Sequence, residues 1–151
     1  MRILGVFIII SSMAVTVWST FFGLTLPMAL KGLIDVVGFI CVIGPVIGGS
    51  LVAYGSELRT AFKVNPSQEE AMTAINVYKL AARVSIGSGL ISTLLGWIAM
   101  LGNMGGVGMD IAALTGGTAT ALLTSLYGLV FSFCLFLPLQ YYFQSELDKD
   151  S

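Results

Sequence analysis

The chain has 151 residues, of which 56% are hydrophobic and 10% are charged, and its formal net charge is −1. A soluble domain carries about a quarter charged residues. This composition, with a mean hydropathy of +0.94, therefore excludes a soluble fold and indicates an all-α membrane protein. The near-neutral charge also excludes an electrostatic footprint for nucleic acid.

Cys41 and Cys134 stand singly in apolar runs, and the chain has no histidine. This pattern excludes a CxxC zinc or redox motif and favours two buried thiols without a chemical role. The sequence also offers no nucleophile–base pair. We therefore expect no metal, no cofactor and no enzymatic activity.

The first apolar stretch covers about residues 3–26. It is too long for the apolar region of a signal peptide, so we interpret it as a first transmembrane span. After a short turn, a second span is predicted over about residues 33–54. Asp35 follows Lys31 by one helical turn, and pairing of the two would make the acid tolerable at the membrane edge.

A polar stretch of loop and helix follows over residues 55–83. Ser67 and Glu70 fit a capping box, so a mildly amphipathic helix should begin there and continue without a break into a third span. The remaining segments are that third span at about 84–102, a Gly-rich connection at 103–116, a fourth span at about 117–143 and a tail at 144–151.

Basic residues cluster in one part of the chain. Four lie within residues 55–83, only Lys31 lies in the first turn, and none lies in the Gly-rich connection. Because short cytoplasmic loops carry the excess of Lys and Arg, both termini and the 55–83 stretch should face the cytoplasm. The sequence thus predicts four transmembrane helices with an N-in/C-in topology.

The fourth predicted span carries hydroxyl groups among its apolar residues. Helical spacing puts one set of hydroxyls along one face and a second set on a face nearby. The first set is Thr120, Thr124 and Tyr127, and the second is Thr118, Ser125 and Ser132. Hydroxyls gain nothing from lipid, so this stripe should face another helix or a hydrated path.

All eight acidic residues fall in loops or at span ends, and no basic residue lies in the middle of a span. The chain alone therefore lacks a group that binds and releases a proton by carboxylate chemistry within the membrane. Hydroxyls on the third and fourth helices can hydrate a pore wall and bond a carboxylate from another chain. They can equally serve only to tie helices together, and composition leaves both alternatives open.

Two segments resemble the MotA/TolQ/ExbB proton-channel family. Residues 89–96, followed by residues 100–103, resemble the third-helix motif of the family. Residues 120–128, followed by Phe136-Leu137-Pro138, resemble the fourth-helix motif of the MotA branch. The four-helix layout is similar to MotA, whereas ExbB and TolQ have three helices. The likeness extends over about residues 84–140 in motifs and over residues 1–60 in topology only.

The resemblance implies a homopentameric ring in the bacterial cytoplasmic (inner) membrane. The ring would surround a dimer of a single-span MotB/ExbD/TolR-like protein, whose membrane aspartate takes up H⁺ or Na⁺, and ion flux would rotate the ring. By position, Thr93 matches the third-helix threonine that faces the ion path. Ser125 occupies the fourth-helix hydroxyl site, where threonine is usual. Thr124 and Tyr127 match adjacent positions, and Thr120 begins the same motif. The resemblance thus implies that these five residues line the ion pathway, with Thr93 and Ser125 ranked first.

The sequence departs from the flagellar members in two ways. They have a proline just before the third-helix glycine motif, which Ser85-Ile86-Gly87-Ser88 lacks. They also have a large cytoplasmic domain in place of the short 55–83 stretch. Within that stretch, Glu57, Arg59 and Lys63 are candidate partner contacts, although a solvated orienting loop also explains them.

We therefore expect a minimal motor that serves an envelope or surface machine other than the flagellum. Two alternatives have no motor role. One is a structural membrane scaffold or assembly protein, in which the hydroxyls serve packing alone. The other is a small stand-alone transporter, which would need inverted repeats and an intramembrane ionisable group that the sequence does not show.

Overall fold

The computed structural model describes Ser11 and residues 34–63, 66–103 and 111–148. The chain divides into two compact units, residues 1–34 and 35–151, and the described helices from Val36 onward all belong to the second. The predicted first span and Lys31 lie outside the described residues, as do residues 104–110 of the predicted connection.

The described chain is helical, and three of its stretches are long and apolar enough to cross a membrane: Val36–Phe62, Gln68–Gly102 and Leu114–Leu147. This confirms the predicted all-α membrane class. The elements are α1 (Val36–Tyr54), a 3₁₀ helix (Gly55–Phe62), α2 (Gln68–Asn103), α3 (Ile111–Val130), a π-helical turn (Phe131–Phe136) and α4 (Leu137–Leu147).

Helix α1 begins where Asp35 caps it. The Asp35 carboxylate accepts hydrogen bonds from the backbone N–H groups of Val37 at 3.2 Å and Gly38 at 3.0 Å. These bonds satisfy donors that have no partner within the first helical turn, so the cap explains why an acid is tolerated here. The helix ends at Gly55, whose φ of 51° is a conformation that glycine adopts without steric cost.

Helix α2 begins at the predicted capping box. The Ser67 N–H donates to Glu70 Oε2 at 3.1 Å, and the Glu70 N–H reaches Ser67 Oγ at 3.4 Å. The 36 residues of α2 then continue without a break, as predicted. A helix of this length measures about 54 Å, against roughly 30 Å for the hydrocarbon core. Part of α2 must therefore project beyond the bilayer.

Residues 111–116 are already helical and belong to α3, whereas composition predicted an irregular connection up to residue 116. Residues 111–114 include two alanines and a leucine, and their helix propensity outweighs the Gly116-Gly117 pair that follows. The helical run also extends beyond the predicted end at 143, to Leu147. Loop-like composition was therefore a poor guide to the limits of this helix.

The π-helical turn lies directly before Pro138. The Leu137 N–H donates to the Ser132 carbonyl five residues back, so the helix is locally widened. Proline has no N–H and its ring crowds the preceding turn of a regular α-helix. The wider turn lets the chain pass through Pro138 without ending the helix.

Helices α2 and α3 run antiparallel and touch through their smallest residues. A Cβ atom built on Gly96 would lie 3.1 Å from Ala121 Cβ, and one on Gly89 would lie 3.2 Å from the Cα of Gly128. Small residues allow such a backbone approach in a bilayer, where helix association depends on close packing. This contact fixes the register of every side chain along the interface.

A compact apolar core lies where α2 begins and α4 ends. Tyr78 stacks on Phe143 with ring centroids 5.7 Å apart, and its hydroxyl donates to the Ala61 carbonyl at 2.6 Å. The other buried members of the core are Ala71, Ala74 and Val77. This core joins the 3₁₀ helix to α2 and α4.

Along the apolar helices, by contrast, many large apolar side chains are exposed, as expected for helices surrounded by lipid or other helices.

Candidate functional site

The hydroxyls of Thr93 on α2 and Ser125 on α3 meet at the α2–α3 interface. Their oxygens are 2.6 Å apart, and both side chains are half-buried. Thr93 Oγ1 also lies 2.7 Å from the Ala121 carbonyl and 2.9 Å from the Gly89 carbonyl. Ser125 Oγ lies 3.5 Å from the same Gly89 carbonyl. The structure thus brings together the two residues that the sequence ranked first.

Two hydroxyl protons serve these contacts, because each hydroxyl has one donor hydrogen and two acceptor lone pairs. If Ser125 donates to Thr93, Thr93 donates to the Ala121 or Gly89 carbonyl. If Thr93 donates to Ser125 instead, Ser125 is left with the longer contact to Gly89. The pair therefore has two proton arrangements, of which the first has the shorter hydrogen bonds, and each leaves acceptor capacity on a hydroxyl oxygen.

The glycine contact explains why the two hydroxyls lie so close. Gly89 is one turn from Thr93 on α2, and Gly128 is one turn from Ser125 on α3. A Cβ on Gly128 would stand 2.5 Å from the Ser85 carbonyl oxygen, a distance that no side chain tolerates. The helices approach here because neither residue has a side chain, and the hydroxyls one turn away meet as a result.

Two further serines secure α2 at this level. Ser85 Oγ donates to the Gly128 carbonyl at 2.9 Å. Ser88 Oγ lies 3.1 Å from the Ser85 carbonyl and 3.4 Å from the Val42 carbonyl on α1. Both serines are buried. Three helices are thus tied to one another by hydroxyl–carbonyl bonds within the apolar region.

The predicted hydroxyl stripe on the fourth helix divides into two faces. Ser125 faces α2, as does Thr118, whose hydroxyl bonds the Leu114 carbonyl and lies 4.0 Å from the Met100 sulfur. Thr124 instead faces the start of α1, where its methyl group lies 3.4 Å from a Cβ built on Gly38. The geometry therefore separates Thr124 from the Thr93–Ser125 pair.

Tyr127 also faces α1. Its hydroxyl accepts a hydrogen bond from the Asp35 N–H at 2.8 Å, and its ring packs edge-on against Phe39 at a centroid distance of 6.4 Å. Thr120 is exposed, and its hydroxyl donates to the Gly116 carbonyl of its own helix. Of the five predicted pathway residues, Thr93 and Ser125 are in contact, Thr124 and Tyr127 support α1, and Thr120 is on the surface.

The three candidate partner contacts lie at the 3₁₀ helix, next to the start of α2. Glu57 and Arg59 are exposed. Lys63 forms an ion pair with Glu70, the same residue that completes the capping box of α2. Lys63 therefore has a structural partner, whereas Glu57 and Arg59 face solvent.

Sequence reasoning missed the part played by Ser85 and Gly128. The signal was present, because Ser85, Gly89 and Thr93 recur every four residues and so share one face of α2. On α3, Ser125 and Gly128 are three residues apart and share a face in the same way. What the sequence could not supply is the register that places these two faces opposite each other.

Comparison with known proteins identifies the family that this chain resembles. The profile of the MotA/TolQ/ExbB proton channel family matches residues 55–151. That match covers more than half of the chain and includes the whole α2–α3 interface. The chain belongs to the MotA/TolQ/ExbB proton channel family. Its members are channels rather than enzymes, and the resemblance found in the two helix motifs is confirmed.

Among curated proteins, the chain is similar to motility protein A of Borreliella burgdorferi (strain ATCC 35210 / DSM 4680 / CIP 102532 / B31). The two are 32% identical over 78 residues, which is 52% of this chain and 28% of that protein. The chain thus spans little more than a quarter of the length of this relative. The likeness to motility protein A is therefore distant, and it concerns a segment of that protein only.

Proposed function

We propose that the chain is the channel-forming stator subunit of an ion-driven rotary motor. Five copies would form a ring around a dimer of a single-span MotB/ExbD/TolR-like protein and convert ion-motive force into mechanical work. The ring would lie in the bacterial cytoplasmic membrane. Each subunit would cross it four times, N-in and C-in, with spans near residues 3–26, 33–54, 84–102 and 117–143.

The observation that carries this proposal is the Thr93–Ser125 hydroxyl pair, 2.6 Å apart at a helix interface of a proton channel family member. Within the apolar region, hydroxyls are the polar side chains that this interface presents. They can bind a hydrated ion or a carboxylate without the desolvation cost of a buried charge. A channel wall built this way conducts only when an ion-binding acid is supplied from elsewhere.

The partner aspartate would supply that acid. When ionised, its carboxylate accepts hydrogen bonds only, and either hydroxyl of the pair can donate to it. When protonated, the acid donates its proton to a hydroxyl oxygen instead. Donation to the ionised acid would replace one hydroxyl–carbonyl bond of the pair, whereas the protonated acid would donate to a free lone pair of a hydroxyl. Proton uptake and release would therefore reverse the direction of the hydrogen bond between ring and partner.

The Asp35 carboxylate, which belongs to the chain itself, caps α1. Both carboxylate oxygens of Asp35 accept backbone N–H groups at the start of α1. These bonds satisfy backbone donors of the first helical turn, so the Asp35 side chain is committed to the cap of α1. This supports a division of labour in which the ring provides hydroxyls and the partner provides the acid.

The short stretch between α1 and α2 supports a machine other than the flagellum. Glu57 and Arg59 are exposed on the 3₁₀ helix, and Lys63 is engaged by Glu70. This leaves a small charged surface for a partner in the cytoplasm, in place of a large cytoplasmic domain. We therefore propose that the moving part of the machine contacts the ring or the single-span dimer at another place.

A structural membrane scaffold is the second candidate, and one observation favours it. Thr93, Ser85 and Ser88 all bond backbone carbonyls, which is how hydroxyls tie helices together in proteins without a channel. Under this alternative, the hydroxyls contribute stability and nothing else. The two candidates therefore differ in what happens to ion flux when a hydroxyl is removed and the assembly survives.

The test is ion flux into liposomes that contain the subunit and its single-span partner. The motor proposal expects Thr93→Ala and Ser125→Ala to abolish most of the flux while the oligomer remains intact. Thr93→Ser keeps the hydroxyl and should keep most of the flux. Absence of flux through the unaltered complex, with the oligomer intact, would favour the scaffold. Unchanged flux in both alanine variants would exclude the pair from the ion path.

A further inference from the structure

The α2–α3 interface repeats its hydroxyl pairing beyond the glycine contact. Thr93 faces Ser125, and one turn along the interface Gly89 faces Gly128. Ser132 lies one turn beyond Gly128 on its helix, in the π-helical turn, which packs against α2 as well. Ser85 and Ser132 are thus a second pair of hydroxyl residues, on the side of the glycine contact away from Thr93 and Ser125.

One hydroxyl of this second pair lacks a hydrogen-bond partner, whereas Thr93 and Ser125 are bonded to each other. Ser85 Oγ donates to the Gly128 carbonyl at 2.9 Å. Ser132 is 1% exposed, and its Oγ is the only buried side-chain oxygen or nitrogen without a hydrogen-bond partner among the residues that the structure describes. A buried hydroxyl without a partner is costly, and such groups mark a bound water, a bound ion or a functional site.

We propose that Ser132 is a second oxygen site of the ion path, on the other side of the glycine contact from the Thr93–Ser125 pair. This inference rests on the proposed channel function. The ligand is water carrying H⁺, or Na⁺ with part of its water shell, since both bind a hydroxyl oxygen through a lone pair. The free lone pairs and the free proton of Ser132 are what this site offers.

The location suits a site that holds an ion only in passing. Ser132 lies seven residues after Ser125, about 10 Å along the helix, too far for a direct hydrogen bond between the two hydroxyls. The glycine contact between them is closed to side chains. Ser132 lies within the π-helical turn, and such turns occur frequently at functional sites.

The first experiment measures flux and thermal stability of Ser132→Ala in membrane vesicles from cells that produce the chain with its partner. A purely structural serine predicts unchanged flux and a higher melting temperature, because the variant removes an unsatisfied buried hydroxyl. The proposal predicts a flux loss of about tenfold without any loss of stability. Ser50→Ala is the control, because Ser50 is also buried, at 4% exposure, but lies on α1. Its flux should stay unchanged.

Flux is followed with a pH-sensitive dye in sodium-free buffer and with a sodium-sensitive dye at a clamped pH. A loss in either assay supports the site and also identifies the ion that it binds. Unchanged flux of both ions in Ser132→Ala would overturn the proposal, provided that Thr93→Ala blocks flux in the same vesicles. If the unaltered complex conducts neither ion, it is the channel function itself that fails.

A second experiment reports on water access and does not depend on flux. Ser132→Cys is made in a chain whose Cys41 and Cys134 are replaced by alanine, and a small water-soluble thiol reagent is added to energised vesicles. A hydrated path predicts that the thiol is labelled in the complex and that labelling is lost when the chain is produced without its partner. An inert thiol under all conditions would overturn the proposal, whether or not the complex conducts.

Discussion

The hydroxyls of Thr93 and Ser125 share their two protons with each other and with two backbone carbonyls, Gly89 and Ala121. Because the carbonyls remain in place when either side chain is replaced, the loss of one hydroxyl leaves the backbone intact and removes a donor to any arriving ligand. At the scale of single residues, we therefore expect replacement of the Thr93 or Ser125 hydroxyl to lower ion flux more than it lowers stability.

Replacing Thr93 or Ser125 by alanine should reduce ion flux by about 10- to 100-fold. The reason is that a hydrogen bond to a charged group contributes about 1.5–3 kcal/mol, and each 1.36 kcal/mol is a factor of ten in rate. Flux into liposomes is the measurement. The control is Ser92→Ala, since Ser92 lies on another side of α2, next to Cys41 and Pro45 of α1. A matching loss in Ser92→Ala would mean that the effect is not specific to the pair.

Tyr78 offers a residue-scale prediction about stability alone. Tyr78→Phe removes the hydrogen bond to the Ala61 carbonyl and keeps the stack on Phe143. We expect a loss of about 1 kcal/mol, because the buried Ala61 carbonyl loses its side-chain donor. Thermal unfolding in detergent measures it. Tyr141→Phe is the control, since Tyr141 is 64% exposed, and an equal loss there would show that the Ala61 bond contributes nothing.

At the scale of helices, the α2–α3 contact depends on glycine where the backbones meet and tolerates larger residues elsewhere. Gly89 and Gly128 have no room for a Cβ, whereas nothing lies within 4 Å of a Cβ on Gly87. These three glycines occupy the same two helices, so their substitution separates the effect of backbone approach from that of helix propensity.

Gly128→Ala should destabilise the subunit by about 1–3 kcal/mol, because the new methyl group overpacks the contact with Ser85 and forces the helices apart. Gly87→Ala should act in the opposite direction and raise stability by up to about 1 kcal/mol, since alanine is the better helix former. Melting temperatures in detergent distinguish the two. A Gly128→Ala variant as stable as Gly87→Ala would show that the close approach of the two backbones is not needed for folding.

The helix pair also shows what could be read from the sequence. The capping box at Ser67 and Glu70 is a local signal, and it marked the start of α2 correctly because the bonds join neighbours in the chain. The helical conformation of residues 111–116 was missed, since the glycines of that region dominate its composition. Local bonds are encoded locally, whereas a helix limit also depends on packing against other helices.

The candidate site was predictable in its members and not in its geometry. The family motifs pointed to Thr93 and Ser125, and the structure places them in contact. Thr124 is next to Ser125 in the motif, yet it turns toward α1 because adjacent helical residues differ by about 100° in direction. The helix that each face contacts depends on the antiparallel register of α2 and α3, which the glycine contact fixes.

At the scale of the whole molecule, one chain presents a hydroxyl-lined interface, and the acids of its described apolar helices lie near the helix ends rather than beside the hydroxyl pair. The exposed apolar surface along its helices suits contact with lipid and with further helices. A ring of subunits around a partner that carries an aspartate would combine the two parts. Neither part would move ions alone, so conduction should depend on the partner's acid.

Conduction by the assembled complex should therefore be lost when the partner's membrane aspartate is replaced by asparagine. The replacement keeps the size of the side chain and removes the group that takes up the ion. The flux of this complex should fall to that of the ring alone. Flux that persists through the ring without any partner acid would contradict the division of roles between ring and partner.

The most direct test of the whole account is the native mass of the detergent-purified 16.0 kDa subunit, measured alone and after co-expression with a single-span neighbour. We predict a ring of five copies that takes up two partner chains. A monomer or dimer that does not bind such a partner would contradict the motor proposal and would indicate that the hydroxyl pair serves only to pack helices together.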